Sequence, residues 1–209
     1  MYIYLFIAIV VFIAAWSIAS YLAVSRIETP SYTIVKKETG YEIREYDSYI
    51  VAQTQVTGSL NEASSNGFRI IADYIFGNNA NNDKISMTAP VVEQRSQKIA
   101  VAAPVIHTFE DSDTRTISFI LPSKYTLKTL PKPNNSQVTI QEIPQHTVAA
   151  LRFTWYPTAS RIDRKKATLR TLLERDGQTI VDNVQVARYN PPLSMPFLLR
   201  SEILIPIEY

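Results

Sequence analysis

The sequence predicts an α+β domain: a distorted antiparallel β-barrel of two pseudo-twofold β-β-α-β-β halves with two flanking helices, preceded by an N-terminal transmembrane helix. Three observations predict it. Alternation of apolar and charged residues at every second position gives way to helical spacing and returns, and this happens twice along the chain. Gly, Pro and Asn punctuate each change. Finally, Tyr2 to Val24 carry no charge at all.

That first run is long enough, at roughly 20 helical residues for a core of about 30 Å, to span a bilayer. Tyr2, Tyr4 and Phe6 stand at one end and Trp16 and Tyr21 toward the other, as interfacial aromatics do. A cleavable signal peptide would have a basic start and a shorter apolar core, whereas this chain begins Met-Tyr-Ile-Tyr. The reading is an anchor over residues 1–25, a tether over 26–31 and a domain over 32–209. Arg26, Lys36 and Lys37 follow the span, which by the positive-inside rule favours a cytoplasmic domain. A bacterial anchor holding its domain outside fits three such charges equally well, so sidedness stays open.

Tyr32 to Glu38 reads as a strand and Thr39-Gly40 as its turn. Tyr41 to Tyr46 alternates large apolar and charged residues, the pattern of a half-buried strand, and after the Asp47-Ser48 kink a further strand runs from Tyr49 to Thr57. Leu60, Ala63, Gly67, Phe68, Ile71, Ala72 and Ile75 then fall at helical spacing. Ser59 with Glu62 makes a capping box, and Gly77-Asn78-Asn79 ends the helix. Two octets follow, Lys84 to Val91 and Lys98 to Val105, each of the form Lys-Ile, small, apolar, small, Ala-Pro-Val. They read as two strands of a hairpin, with Glu93 to Gln97 as its polar turn.

His107 to Asp113 is a polar turn, Thr116 to Leu121 a strand, and Leu130 to Ser136 a proline-bearing loop. The opening pattern then returns. Strands at 138–143 and 147–155 lead into a helix from Ser160 to Arg175, with Ser160 and Asp163 at its cap, an apolar stripe of Ile162, Leu169, Leu172 and Leu173, and Gly177 as its stop. Strands at 184–189 and 202–207 close the chain. A helix laid over a curved sheet can leave an apolar cleft, the usual seat of small ligands.

Composition narrows the function. A net charge of +2 and the absence of a basic run interleaved with aromatics argue against nucleic acid as a partner. With no cysteine, thiol catalysis and Cys–metal sites are excluded; with two histidines, a multi-histidine metal site is disfavoured. Five glycines leave little room for a nucleotide fingerprint. No nucleophile–base constellation stands out, so the chain does not read as an enzyme.

Several stretches taken together resemble the SOUL haem-binding family, in its bacterial branch. They are Tyr41 to Tyr46, Gly67-Phe68 through Tyr74 to Asn78, Lys84 to Val91 with its echo, Phe119 to Tyr125, Ala187 to Pro192, and Arg200 to Pro206. The resemblance implies a distorted barrel of two pseudo-symmetric halves and a hydrophobic cleft for haem or another tetrapyrrole beside the first helix of the domain. By that mapping the pocket is formed by Phe68, Ile71, Ala72 and Ile75, with Met87 nearby and Arg69 within a turn. Basic side chains of characterised animal members would fall at Ser65, Asp73 and Ser194, and a histidine proposed as axial ligand near Tyr49.

The residues offer other ligands. His107, His146, Met87 and Met195 are possible axial donors to iron, and Tyr41, Tyr46 and Tyr49 possible phenolates. Each has a plainer reading as loop, core-filling or core-edge residue. Arg161, Arg164, Lys165, Lys166 and Arg170 give the second helix of the domain a basic face, a solvated surface or an attraction to anionic lipid. The function expected is binding of haem or a related tetrapyrrole at a membrane surface. The alternatives are a module for another hydrophobic or lipid-like molecule, or a small hydrolase using the same cleft.

Overall fold

The computed structural model describes residues 2–25, 27–95, 114–191 and 194–209. Three helices, α1 (Tyr2–Ser25), α2 (Leu60–Ile75) and α3 (Ala159–Arg175), accompany one antiparallel sheet. Its strands are β1 (Tyr32–Glu38), β2 (Tyr41–Tyr46), β3 (Tyr49–Thr57), β4 (Val91–Arg95), β5 (Thr114–Ile120), β6 (Thr139–Ile143), β7 (His146–Phe153), β8 (Thr179–Ile180), β9 (Gln185–Arg188) and β10 (Ser201–Glu208). The order across the sheet is β1-β2-β7-β10-β9-β4-β5-β3-β6, with the short β8 added to β10.

The β4–β9 ladder is the middle of this order. From it β5, β3 and β6 follow on one side, and β10, β7 and β2 on the other. Chain order gives β2-β3-α2-β4-β5 and then β6-β7-α3-β9-β10, so each run lends its first strand to the other: β2 pairs with β7, and β6 with β3. The sheet curls without closing. Among the described residues no ladder joins β1 to β6, and the expected barrel is a half-barrel. β1 shows why: most of it is exposed and it carries Lys36 and Lys37 outward, as edge strands do when they must not pair further.

Both helices of the domain lie on one face of the sheet. Under α3 pack Ile43, Ala149, Leu151, Val186, Ile203 and Ile205 against Ile162, Leu169 and Leu173. Under α2 pack Ala52, Ile117 and Phe119 against Ile71, Tyr74 and Ile75. The alternate residues Val148, Ala150, Ala187 and Leu204, with Tyr46, Val51 and Ile120, gather on the opposite, inner face. Strand β2 is therefore covered on both sides rather than half-buried: Tyr41 and Ile43 face α3, while Arg44 and Tyr46 face inward.

Local signals explain α2. Ser59 Oγ accepts from the Glu62 backbone N–H, and the Glu62 carboxylate accepts in return from the Ser59 N–H at 3.2 Å, so two otherwise unpaired donors are met. Replacing Ser59 by Ala removes this cap, and urea unfolding should show a loss of about 1 kcal/mol. An unchanged midpoint would mean that the helix is held by packing alone. The α3 cap is Thr158, whose Oγ1 accepts from Arg161 N–H; Ser160, the expected cap, lies inside the first turn.

Two expectations for the octets need correction. Lys84 to Pro90 is irregular, and Glu93 to Arg95, expected in the polar turn, belong to β4, paired with β5 and β9. The irregular stretch is fixed from three directions: Ile85 N–H donates to Ile75 at the end of α2, Ala89 N–H to Glu28, and the Thr88 hydroxyl to the carbonyl of Ile120. Lys98 to Val105, the turn before it from Ser96, and His107 to Asp113 lie outside the described residues.

Candidate functional site

Helix α2 sits close on the sheet because Gly67 has no side chain to hold it off. Ile71 and Ile75 consequently point into the core, Ile71 at 0% exposed, and pack on the sheet rather than opening a slot; Ala72 is buried as well. Phe68 and Met87 differ. They are 40% and 37% exposed, and both stand at the same end of β5. The Phe68 ring lies on Phe119, centroids 5.1 Å apart, and Met87 precedes Thr88, which is tied to Ile120. Arg69, also exposed, donates from Nη2 to Asn66 Oδ1 at 2.7 Å. Of the predicted set, Phe68, Met87 and Arg69 are the members exposed to solvent.

This surface suits a flat macrocycle in part. The exposed Phe68 ring and Met87 thioether are apolar groups on which a macrocycle can rest, and the exposed Arg69 guanidinium can meet a carboxylate. Axial ligands are less well provided. His146 lies elsewhere, on the inner-face side, stacked on Tyr46 and tilted against Tyr49 at centroid distances of 5.8 and 5.7 Å. Its Nδ1 is 2.8 Å from the Pro144 carbonyl, which only accepts, so Nδ1 carries a hydrogen. Burial raises the pKa of the Tyr46 and Tyr49 phenols and pushes Tyr41 up to about 12, so all three are neutral at pH 7. Met195 is buried. Among the described residues no group of three His, Asp or Glu side chains is placed to hold a metal ion.

A cleft of about 590 Å³ opens at the neighbouring end of the sheet, within the range of small-molecule sites. Tyr49, Ile50, Ile120, Leu121 and Tyr125 give it apolar walls, and Glu28, Asp47 and Glu142 line it as well. It reaches Thr88, the neighbour of Met87, but no residue of the predicted set lines it. The carboxylates make it a poor seat for propionates.

Two buried ionic clusters went unrecognised in the sequence. On the inner face Glu202 is 0% exposed, and its carboxylate accepts from Arg44 Nη1 at 2.8 Å, Tyr189 Oη at 2.8 Å and Arg200 Nε at 3.0 Å. Arg44 also binds Glu42 through Nε and Nη2 and lies under the Tyr32 ring; Arg200 lies over the Tyr189 ring. Burial pushes the Glu202 carboxyl up, but the facing guanidiniums of Arg44 and Arg200 outweigh it and hold the pKa below the ordinary value. On the helix-bearing face Glu93 meets Ser64 Oγ at 2.7 Å, Arg115 at 3.3 Å and Arg188 at 3.5 Å. The residues of the first cluster lie in Tyr41 to Tyr46, in Ala187 to Pro192 and in Arg200 to Pro206, three of the stretches that carried the family resemblance.

Comparison with known proteins adds to this geometry. A family model described as SOUL heme-binding protein matches residues 27–206. Heme-binding protein 2 of Homo sapiens is 30% identical over 179 residues, which cover 83% of this chain and 83% of the human one. Heme-binding protein 2 of Mus musculus is 29% identical over 157 residues, 74% of this chain and 72% of that one. Among solved structures, the C-terminal domain of EcmrR superposes with a TM-score of 0.60 at 13% identity, covering 85% of this chain and 98% of that domain. A hydrolase from Listeria innocua superposes with a TM-score of 0.52 at 10% identity, covering 83% and 94%. At such identities these two report the fold alone.

Proposed function

Because the chain belongs to the SOUL heme-binding protein family, we propose that it binds haem or a related tetrapyrrole on the exposed face formed by Phe68 and Met87, with Arg69 at its edge. The observation that supports this place is the pair of large apolar side chains left in solvent, Phe68 resting on Phe119 of β5 and Met87 next to Thr88, whose hydroxyl donates to Ile120. Ile71, Ala72 and Ile75 act from beneath, by fixing the helix that carries Phe68 and Arg69. The division into an anchor over residues 1–25, a tether over 26–31 and a ligand-binding domain over 32–209 belongs to the same reading. So does the role: holding or carrying the pigment at a membrane surface, without catalysis. Helix α1 is long and apolar enough to cross a bilayer, and the family match begins just beyond it, at residue 27. Which side the domain faces is left open by the few charges that flank the span.

Titration of haemin into the detergent-solubilised full chain tests the proposal. A Soret shift saturating at one equivalent is expected, and Phe68→Asp should weaken binding about tenfold or more by placing a charge where the macrocycle buries apolar surface. Met87→Asp should act in the same direction. Unsaturable binding, or affinity indifferent to both substitutions, would defeat it.

The 590 Å³ cleft favours a second reading. Its aromatic walls and three carboxylates suit an amphipathic molecule carrying positive rather than negative charge. Under this reading co-purified lipid-like material is released by Glu142→Gln and is unaffected by Phe68→Asp.

A further inference from the structure

We propose that the loops carrying Trp155–Tyr156 and Met195–Leu198 form a second bilayer contact, lying at the headgroup–acyl boundary beside α1. The proposal rests on α1 being the anchor. Its first support is a hydrogen bond between the two: the Met195 backbone N–H donates to Ser20 Oγ at 2.9 Å, and both residues are buried. The less exposed positions of α1, Trp16, Ser17, Ser20 and Val24, form one stripe at helical spacing, the side on which the 3₁₀ turn Pro196–Leu198 packs.

Depth follows from helix geometry. Ser20 lies five residues before the end of α1 at Ser25, about 7.5 Å along the axis at 1.5 Å per residue. It adjoins Tyr21, the aromatic expected at the interface. A turn hydrogen-bonded to Ser20 stands at that level, not in bulk water.

The side chains there suit this place. Trp155, Tyr156, Phe197 and Leu198 are 52%, 46%, 49% and 37% exposed, a set of large apolar groups rich in the interfacial aromatics Trp and Tyr. The two loops are one surface, since Trp155 N–H donates to the Pro196 carbonyl at 3.0 Å. Trp155 has φ +69°, a conformation unfavourable for a bulky residue and retained where the surroundings or a function require it. At the rim Arg161, in the first turn of α3, donates to the Tyr156 carbonyl, which places a guanidinium beside the aromatics at the height of lipid phosphates. A protein partner would meet the same exposed rings, but the bond to Ser20 favours lipid.

The chain has two tryptophans, one in each proposed contact. The full chain, reconstituted into phosphatidylcholine–phosphatidylglycerol vesicles with doxyl labels at mid-chain or near the headgroup, separates them. In Trp155→Phe, Trp16 should be quenched most by the mid-chain label, which reports the anchor. In Trp16→Phe, Trp155 should be quenched most by the shallow label, emit to the blue and be shielded from iodide severalfold. Trp155 open to iodide and untouched by either label, while Trp16 is quenched, overturns the second contact and leaves the anchor standing. Neither tryptophan quenched removes both. Should Trp16→Phe disturb α1, the difference between the wild-type chain and Trp155→Phe gives the same reading.

Discussion

Replacing Glu202 by Ala should lower the unfolding free energy by about 3–5 kcal/mol, enough to unfold many domains of this size. The residue is fully enclosed, and its carboxylate is shared by Arg44, Arg200 and the Tyr189 hydroxyl. Removal strands the buried Arg44 guanidinium and takes the carboxylate partner from the half-buried Arg200. Arg44 retains Glu42, while among the described residues Arg200 keeps the face of Tyr189. The Arg44–Glu202 pair also ties together strands that are not neighbours, since β7 lies between β2 and β10. Urea unfolding of the detergent-solubilised chain, followed by circular dichroism, measures the loss; a change under 1 kcal/mol would show that water replaces the carboxylate at no great cost.

The sign of the pH dependence follows from the same contacts. A carboxyl with a folded pKa below its ordinary 4.5 contributes stability that is fully present above that value and is lost as pH falls through the depressed one. The wild-type chain should therefore weaken as pH drops below about 4.5. Glu202→Gln, less stable at neutrality, should show a flatter acid limb. A variant limb parallel to the wild type would assign the acid sensitivity to other carboxylates.

What the sequence made legible was local. β1, β2 and β3 have the expected bounds because Gly40 and Asp47-Ser48 interrupt a clear alternation, and the α2 cap is written in Ser59 and Glu62, three positions apart. Alternation says which side chains share a face, not what covers that face. Arg44 therefore read as solvated, because Glu202, its partner, is 158 residues away. β4 read as a turn for the same reason: Glu93 is buried only because Ser64, Arg115 and Arg188 converge on it from three other elements. Lys84 to Pro90 alternates like a strand, yet its backbone is claimed by a helix end, a tether and a strand end. Of the site, the helix and its stripe were visible. The split of that stripe into core residues and the exposed Phe68 was not, since it depends on how low α2 sits.

That height is set by Gly67, and Gly67→Ala tests it. A Cβ built there would stand 2.4 Å from Ile117 Cγ1 and 2.8 Å from its Cβ, closer than carbon atoms approach. Ile117 is itself 1% exposed in the middle of the sheet and has nowhere to turn, so the helix must lift. Alanine gains about 1 kcal/mol of helix propensity over glycine. Overpacking costs about 1–3 kcal/mol and more where neighbours are rigid, and here it should prevail, for a net loss of about 2 kcal/mol. The double mutant Gly67→Ala/Ile117→Ala should be more stable than the two single losses added together, because truncation removes both Cγ atoms and leaves only the Cβ approach to relieve. Pairing Gly67→Ala with Ile117→Val should bring no such relief, since valine keeps them. Because Phe68 follows Gly67 and rests on Phe119, lifting α2 should also weaken haemin binding without altering any residue that faces the ligand. Unchanged stability in Gly67→Ala would mean that α2 can ride higher at no cost, and Phe68 would then be no fixed part of a site.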